Sequence, residues 1–128
     1  LKGSIIECGV LKGNSLIDFV FIEIFLNEKK RIKNFKLIKG DVLQTLEYFL
    51  KKNKNLKISF IHLDMDIYSP TFYCLNKLYG HLSKGGGHFI DDYKKHPGVT
   101  KATNIFLKKI GKKIKFIKNL KNAYYIEK

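Results

Sequence analysis

The sequence predicts an α/β fold: a doubly wound, mostly parallel sheet closed by a C-terminal antiparallel hairpin. Three observations lead there. Short apolar runs ending in Gly or Asp alternate with longer stretches of helical spacing. Those runs are nearly continuous in apolar residues, as strands covered on both faces are. The C-terminal end alternates better than anything earlier, on either side of a polar turn.

The elements follow in order. Ser4–Cys8 reads as a buried strand ending at Gly9. Gly13-Asn14-Ser15 opens an apolar-rich stretch from Leu16 to about Leu26, where Asn14 or Ser15 is placed to cap a helix. Asn34–Ile38 reads as a second strand, closed by Gly40-Asp41. Val42–Lys52 carries Leu43, Leu46, Phe49 and Leu50 at helical spacing. Leu56–Leu63 is the strongest strand and runs into Asp64-Met65-Asp66. Pro70 fits a first helical turn, so a helix is expected from there to about Leu82. Gly85-Gly86-Gly87 breaks it, and His88-Phe89-Ile90 leads as a strand into Asp91-Asp92. Gly98–Ile110 is a further helix with Val99, Ala102, Ile105 and Phe106 on one face. Lys113–Ile117 and Ala123–Ile126 form the terminal hairpin.

Composition bounds the function. The 128 residues suit one domain, 45% of them hydrophobic and 13% aromatic, too apolar for a disordered tail. Cys8 and Cys74 cannot form a disulfide scaffold and read as small buried hydrophobes. No apolar stretch reaches the roughly 18 residues of a membrane span, and no cleavable signal opens the chain, so a soluble, cytoplasmic protein is expected. Lys and Arg number 25 against 11 acids, a formal charge of +14. Yet the bases are scattered in short pairs and Arg31 is the only arginine, which argues against sequence-specific nucleic-acid readout.

The scarce acids are more informative. Glu7, Asp41, Asp64, Asp66, Asp91 and Asp92 all fall at or just past the C-terminal ends of expected strands, where open α/β sheets bind ligands. Glu7 leads into Gly9 and Gly13, four residues apart, which let backbone approach a ligand ahead of a helix N-terminus; neither the G-x-G-x-x-G fingerprint nor a Walker lysine is present. In His62-Leu63-Asp64-Met65-Asp66, strand alternation puts His62, Asp64 and Asp66 on one face. Two such carboxylates need a cation or a proton between them, one serving as ligand and its neighbour as base. His62 with Asp64 is also half of a two-histidine, one-carboxylate iron site. Asp91-Asp92, together with Asp64, supplies three carboxylates suited to Mg2+. His81, His88 and His96 lack zinc-type spacing with the cysteines; His81 reads as exposed and His88 as structural.

Together these residues resemble a known family. Ile5-Ile6-Glu7-Cys8-Gly9-Val10 with Gly13 and Ser15 resembles the first motif of class I S-adenosylmethionine methyltransferases. Leu63-Asp64-Met65-Asp66-Ile67-Tyr68-Ser69-Pro70-Thr71, then Leu78-Tyr79, Gly85-Gly86-Gly87 and Asp91-Asp92-Tyr93 with Pro97-Gly98, resembles the macrocin O-methyltransferase family over most of residues 4 to 127. The resemblance implies a Rossmann-like, metal-dependent O-methyltransferase acting on a sugar hydroxyl, in a nucleotide-linked sugar or a glycosylated natural product. It implies Mg2+ on Asp64, Asp91 and Asp92, and Asp66 as the general base. It also implies S-adenosylmethionine held at its methionine end by Glu7, Gly9, Gly13 and Ser15, with Asp41 near the adenine. The same resemblance implies a small-molecule, sugar-containing partner and is compatible with a homo-oligomer, while the composition speaks against nucleic acid and membrane as partners.

The chain also departs from that pattern. Between Ser15 and Asn34 there is room for barely one helix, not for the helix, strand and ribose-binding acid the family carries there, and the family's N-terminal helices have no counterpart. One methyltransferase-like domain over 1–128 is therefore expected, incomplete between about 19 and 34 and at its N-terminus. Two other functions fit parts of the pattern: a methyltransferase-fold enzyme acting on RNA, drawing on the positive charge, and a non-catalytic binding module with a degenerate cofactor pocket.

Overall fold

A computed structural model describes residues 3–9, 38–116 and 124–128 of the chain. In chain order these form β1 (Ser4–Cys8), α1 (Val42–Lys52), β2 (Ile58–Leu63), α2 (Tyr68–Leu78), a 3-10 turn (Tyr79–His81), β3 (Leu82–Ile90), α3 (Pro97–Ile110), β4 (Lys115–Phe116) and β5 (Tyr124–Glu127). The expected helix over Leu16–Leu26 lies outside the described residues, as does the expected strand Asn34–Ile38 except for Ile38, which is not in a strand.

The strands form one sheet in the order β1-β2-β3-β5-β4. β1, β2 and β3 run parallel, with Cys8 beside Leu63 and Leu63 beside Ile90, so their carboxyl ends finish level with one another. β5 joins β3 antiparallel and β4 pairs with β5, which is the expected hairpin with shorter strands. Ile58, Ile61, Ile90 and Ile126 of the sheet are fully buried, packed with Cys74, Leu75 and Leu78 of α2 and with Val99 and Phe106 of α3.

Local chemistry sets each helix. The Asp41 Oδ1 accepts the Leu43 N–H at 2.9 Å and caps α1, and Lys51 and Lys52 complement the negative end of its dipole. Pro70 sits within the first turn of α2, where its missing N–H loses no helical bond. Pro97 opens α3, and Gly111 ends it in a left-handed conformation at φ 64°.

Two expectations are corrected. The glycine run does not break the chain before β3 but lies within that strand. β3 advances five residues, from Leu82 to Gly87, while β2 advances two, from Ile58 to Phe60, so the run forms a bulge. A Cβ at Gly86 would stand 2.8 Å from the Ser59 carbonyl oxygen, too close for any other residue without movement. The buried face of α3 runs through Val99, Ala102, Thr103, Phe106 and Leu107, whereas Ile105 is exposed. Residues at i, i+3, i+4 and i+7 share a helix face, and Ile105 stands a further turn of about 100° away.

Candidate active site

The level carboxyl ends of β1, β2 and β3 bring three turns side by side. The Asp64 N–H donates to the Cys8 carbonyl at 3.0 Å, and the Asp91 N–H donates to the Leu63 carbonyl at 3.2 Å. Gly9 makes the first approach possible. At φ 107°, a Cβ there would lie 1.6 Å from the Asp64 carbonyl oxygen. Gly9→Ala is therefore expected to separate the two turns and to destabilise the fold by about 2 kcal/mol or more, measured by urea denaturation.

Carboxylates converge on this rim. One oxygen each from Asp64, Asp91 and Asp92 lie within 4.8 Å of one another, and so do ligand atoms of Asp66, Asp92 and His96. Asp92, common to both groups, is buried. Burial, followed by the charges of Asp91 and Asp92, holds the Asp64 carboxyl above its ordinary range. The hydrogen bond that Asp66 shares with Asp92, followed by burial and the Asp92 charge, raises Asp66 as well. Asp92 goes the other way. Burial alone would raise it, but hydrogen bonds from Lys95 and Asp66 and the nearby positive charges outweigh that and lower it. The Lys95 ammonium donates to Asp92 Oδ1 at 2.8 Å, and His96 Nε2 stands 3.7 Å from both Asp66 and Asp92.

Asp66 reaches this cluster by a different route from the one strand alternation suggests. β2 ends at Leu63, and Asp66 lies in the following turn at φ 56° with its side chain 65% exposed. His62 belongs to neither group of potential ligands. Its Nδ1 lies 3.1 Å from Glu7 Oε1, which removes the basis for an iron site built on His62 and Asp64. Asp41 is an exposed helix cap. Gly13 and Ser15 lie outside the described residues.

Lys95, His96 and the pairing of His62 with Glu7 escaped the sequence reading. The first two sit one turn beyond Asp92, at i+3 and i+4, a spacing that would have pointed to them once a turn was placed there. The buried His88 is structural in position, its ring packed against Tyr79 and Phe106.

A mostly parallel sheet with helices packed on it, and a strand–glycine turn beside a carboxylate cluster at its carboxyl rim, is the arrangement of a Rossmann-like methyltransferase fold. Known structures agree. CalS11, described as a TDP-rhamnose 3'-O-methyltransferase of calicheamicin biosynthesis, superposes in its apo form with a TM-score of 0.83 at 19% identity, over 99% of this chain and 72% of that one. A second CalS11 structure gives 0.64 at 26% identity over 71% of this chain and 36% of that one. The O-methyltransferase NovP gives 0.69 at 17% identity over 100% and 72%. No curated protein sequence matches the chain. The family model for macrocin O-methyltransferase (TylF) matches residues 32–125, and the chain belongs to that family. Among the described residues, no helix is long and apolar enough to cross a membrane.

Proposed function

We propose that this chain is an S-adenosylmethionine-dependent, Mg2+-assisted O-methyltransferase whose acceptor is a sugar hydroxyl, in a nucleotide-linked sugar or a glycoconjugate. The observation that carries the proposal is the convergence of Asp64, Asp91 and Asp92 next to Asp66. Three carboxylate oxygens are a hard donor set, suited to a small divalent cation that keeps some of its own waters. Burial, and after it the charges of Asp91 and Asp92, raise Asp64, and the Lys95 ammonium lies on Asp92, so added positive charge would be favoured here. Bound there, Mg2+ would lower the pKa of a coordinated hydroxyl and orient it.

The chain's own residues do the rest. Asp66, exposed and held above its ordinary range, takes the proton from the acceptor hydroxyl as its oxygen attacks the sulfonium methyl. Holding acceptor and cofactor in line at one rim supplies the proximity the displacement needs. Glu7, Gly9, Gly13 and Ser15 serve the methionine end of the cofactor, and Asp41 the adenine side. CalS11, whose name describes a nucleotide-linked sugar as its acceptor, supports the substrate class. The free, buried Cys8 and Cys74 suit a reducing, cytoplasmic setting.

The test is methyl transfer from S-adenosylmethionine to TDP-rhamnose, followed by mass spectrometry. EDTA is expected to abolish transfer and excess Mg2+ to restore it. Activity that survives chelation would remove the metal from the mechanism.

A further inference from the structure

Glu7 is a buried carboxylate with one oxygen left over. Its side chain is 6% exposed; Oε1 faces His62 Nδ1 at 3.1 Å, while Oε2 has no hydrogen-bond partner among the described residues. An ionised carboxylate only accepts, so Nδ1 carries the hydrogen and donates it. A buried carboxylate oxygen without a donor is costly and calls for a partner that the described residues do not provide.

The sheet holds this arrangement in place. Glu7 and His62 are direct neighbours across β1 and β2, and the His62 ring packs at 5.4 Å on Phe89, its neighbour across β2 and β3. With Oε1 engaged and both side chains confined, the carboxylate cannot turn away and Oε2 is the atom on offer. The pair lies at the rim, two residues before Gly9 and close enough to Asp64 for both charges to be felt there.

We propose that His62 is a positioning residue that pins Glu7 so that Oε2 receives the α-ammonium of the cofactor's amino-acid end. The proposal rests on the cofactor reading above. Of the groups on such a cofactor, the ammonium alone combines several N–H donors with a positive charge to balance a buried anion. The cofactor's own carboxylate would be repelled.

S-adenosylhomocysteine carries that ammonium and 5′-methylthioadenosine lacks the whole amino-acid end, so calorimetry of the full chain with each ligand separates the groups. His62→Phe keeps a ring against Phe89 and removes the donor. It is expected to weaken S-adenosylhomocysteine about 10-fold while methylthioadenosine affinity stays within about two-fold. His62→Asn returns an N–H near the Nδ1 position and restores most of the loss. Glu7→Gln loses at least as much as His62→Phe, again for S-adenosylhomocysteine only. Unchanged S-adenosylhomocysteine affinity in His62→Phe, or a parallel loss of both ligands, would overturn the proposal. A native chain that binds neither ligand would overturn the cofactor reading itself, and the proposal with it.

Discussion

Asp66→Asn is expected to lower kcat for methyl transfer by about 100- to 10,000-fold, the usual contribution of a positioned general base, while the affinity for S-adenosylhomocysteine stays within about two-fold. The backbone makes Asn the informative replacement. Asp66 sits at φ 56°, a left-handed conformation that Asn adopts nearly as well as Asp and that most side chains resist. The amide keeps the shape of the carboxyl and can still hydrogen-bond Asp92, but it cannot take a proton from a hydroxyl. Steady-state kinetics with calorimetry on the same preparation checks the split. Undiminished kcat would remove Asp66 from proton transfer, whereas a joint fall of turnover and cofactor affinity would make its role structural.

How the acids come together explains what could be read from the residues alone. Asp64 and Asp91 were legible because each follows directly on an apolar run, with Asp92 next to Asp91, and parallel strands that end level bring such positions together without further information. Asp66 was legible as a member but not in its placement, since alternation holds only while the strand continues and β2 stops at Leu63. The pairing of Glu7 with His62 depends on the register of β1 against β2, across 55 positions of sequence. Local pattern carries no register, although Gly9 and Asp64 as matching strand ends would have given it. The glycine run misled for a related reason. Glycine weakens strands in isolation, but β3 accommodates three in succession because a bulge needs backbone to pass close to Ser59.

His88 makes the second large prediction, on stability against pH. It lies on β3 between Ile61 and Ile126, both fully buried, with Tyr79 and Phe106 against its ring, and neither ring nitrogen has a hydrogen-bond partner among the described residues. Burial lowers its pKa from 6.5 to about 3. Above about pH 6.5 neither the folded nor the unfolded chain binds this proton, and the group contributes nothing to pH dependence. Below that, the unfolded chain takes up a proton that the folded one refuses until about pH 3, so stability falls as pH falls through this window. One pKa unit corresponds to 1.36 kcal/mol, so the loss from this residue is about 2 kcal/mol by pH 5 and about 4 kcal/mol by pH 3. His88→Leu removes the titrating group and two unpartnered nitrogens at similar volume. It is expected to match or exceed the native chain at pH 7.5 and to exceed it by about 2 kcal/mol or more at pH 5. The carboxylates of the rim titrate in both proteins and cancel in the difference. Urea denaturation of the pair at the two pH values measures it, and equal pH slopes would show that His88 meets a proton as readily folded as unfolded.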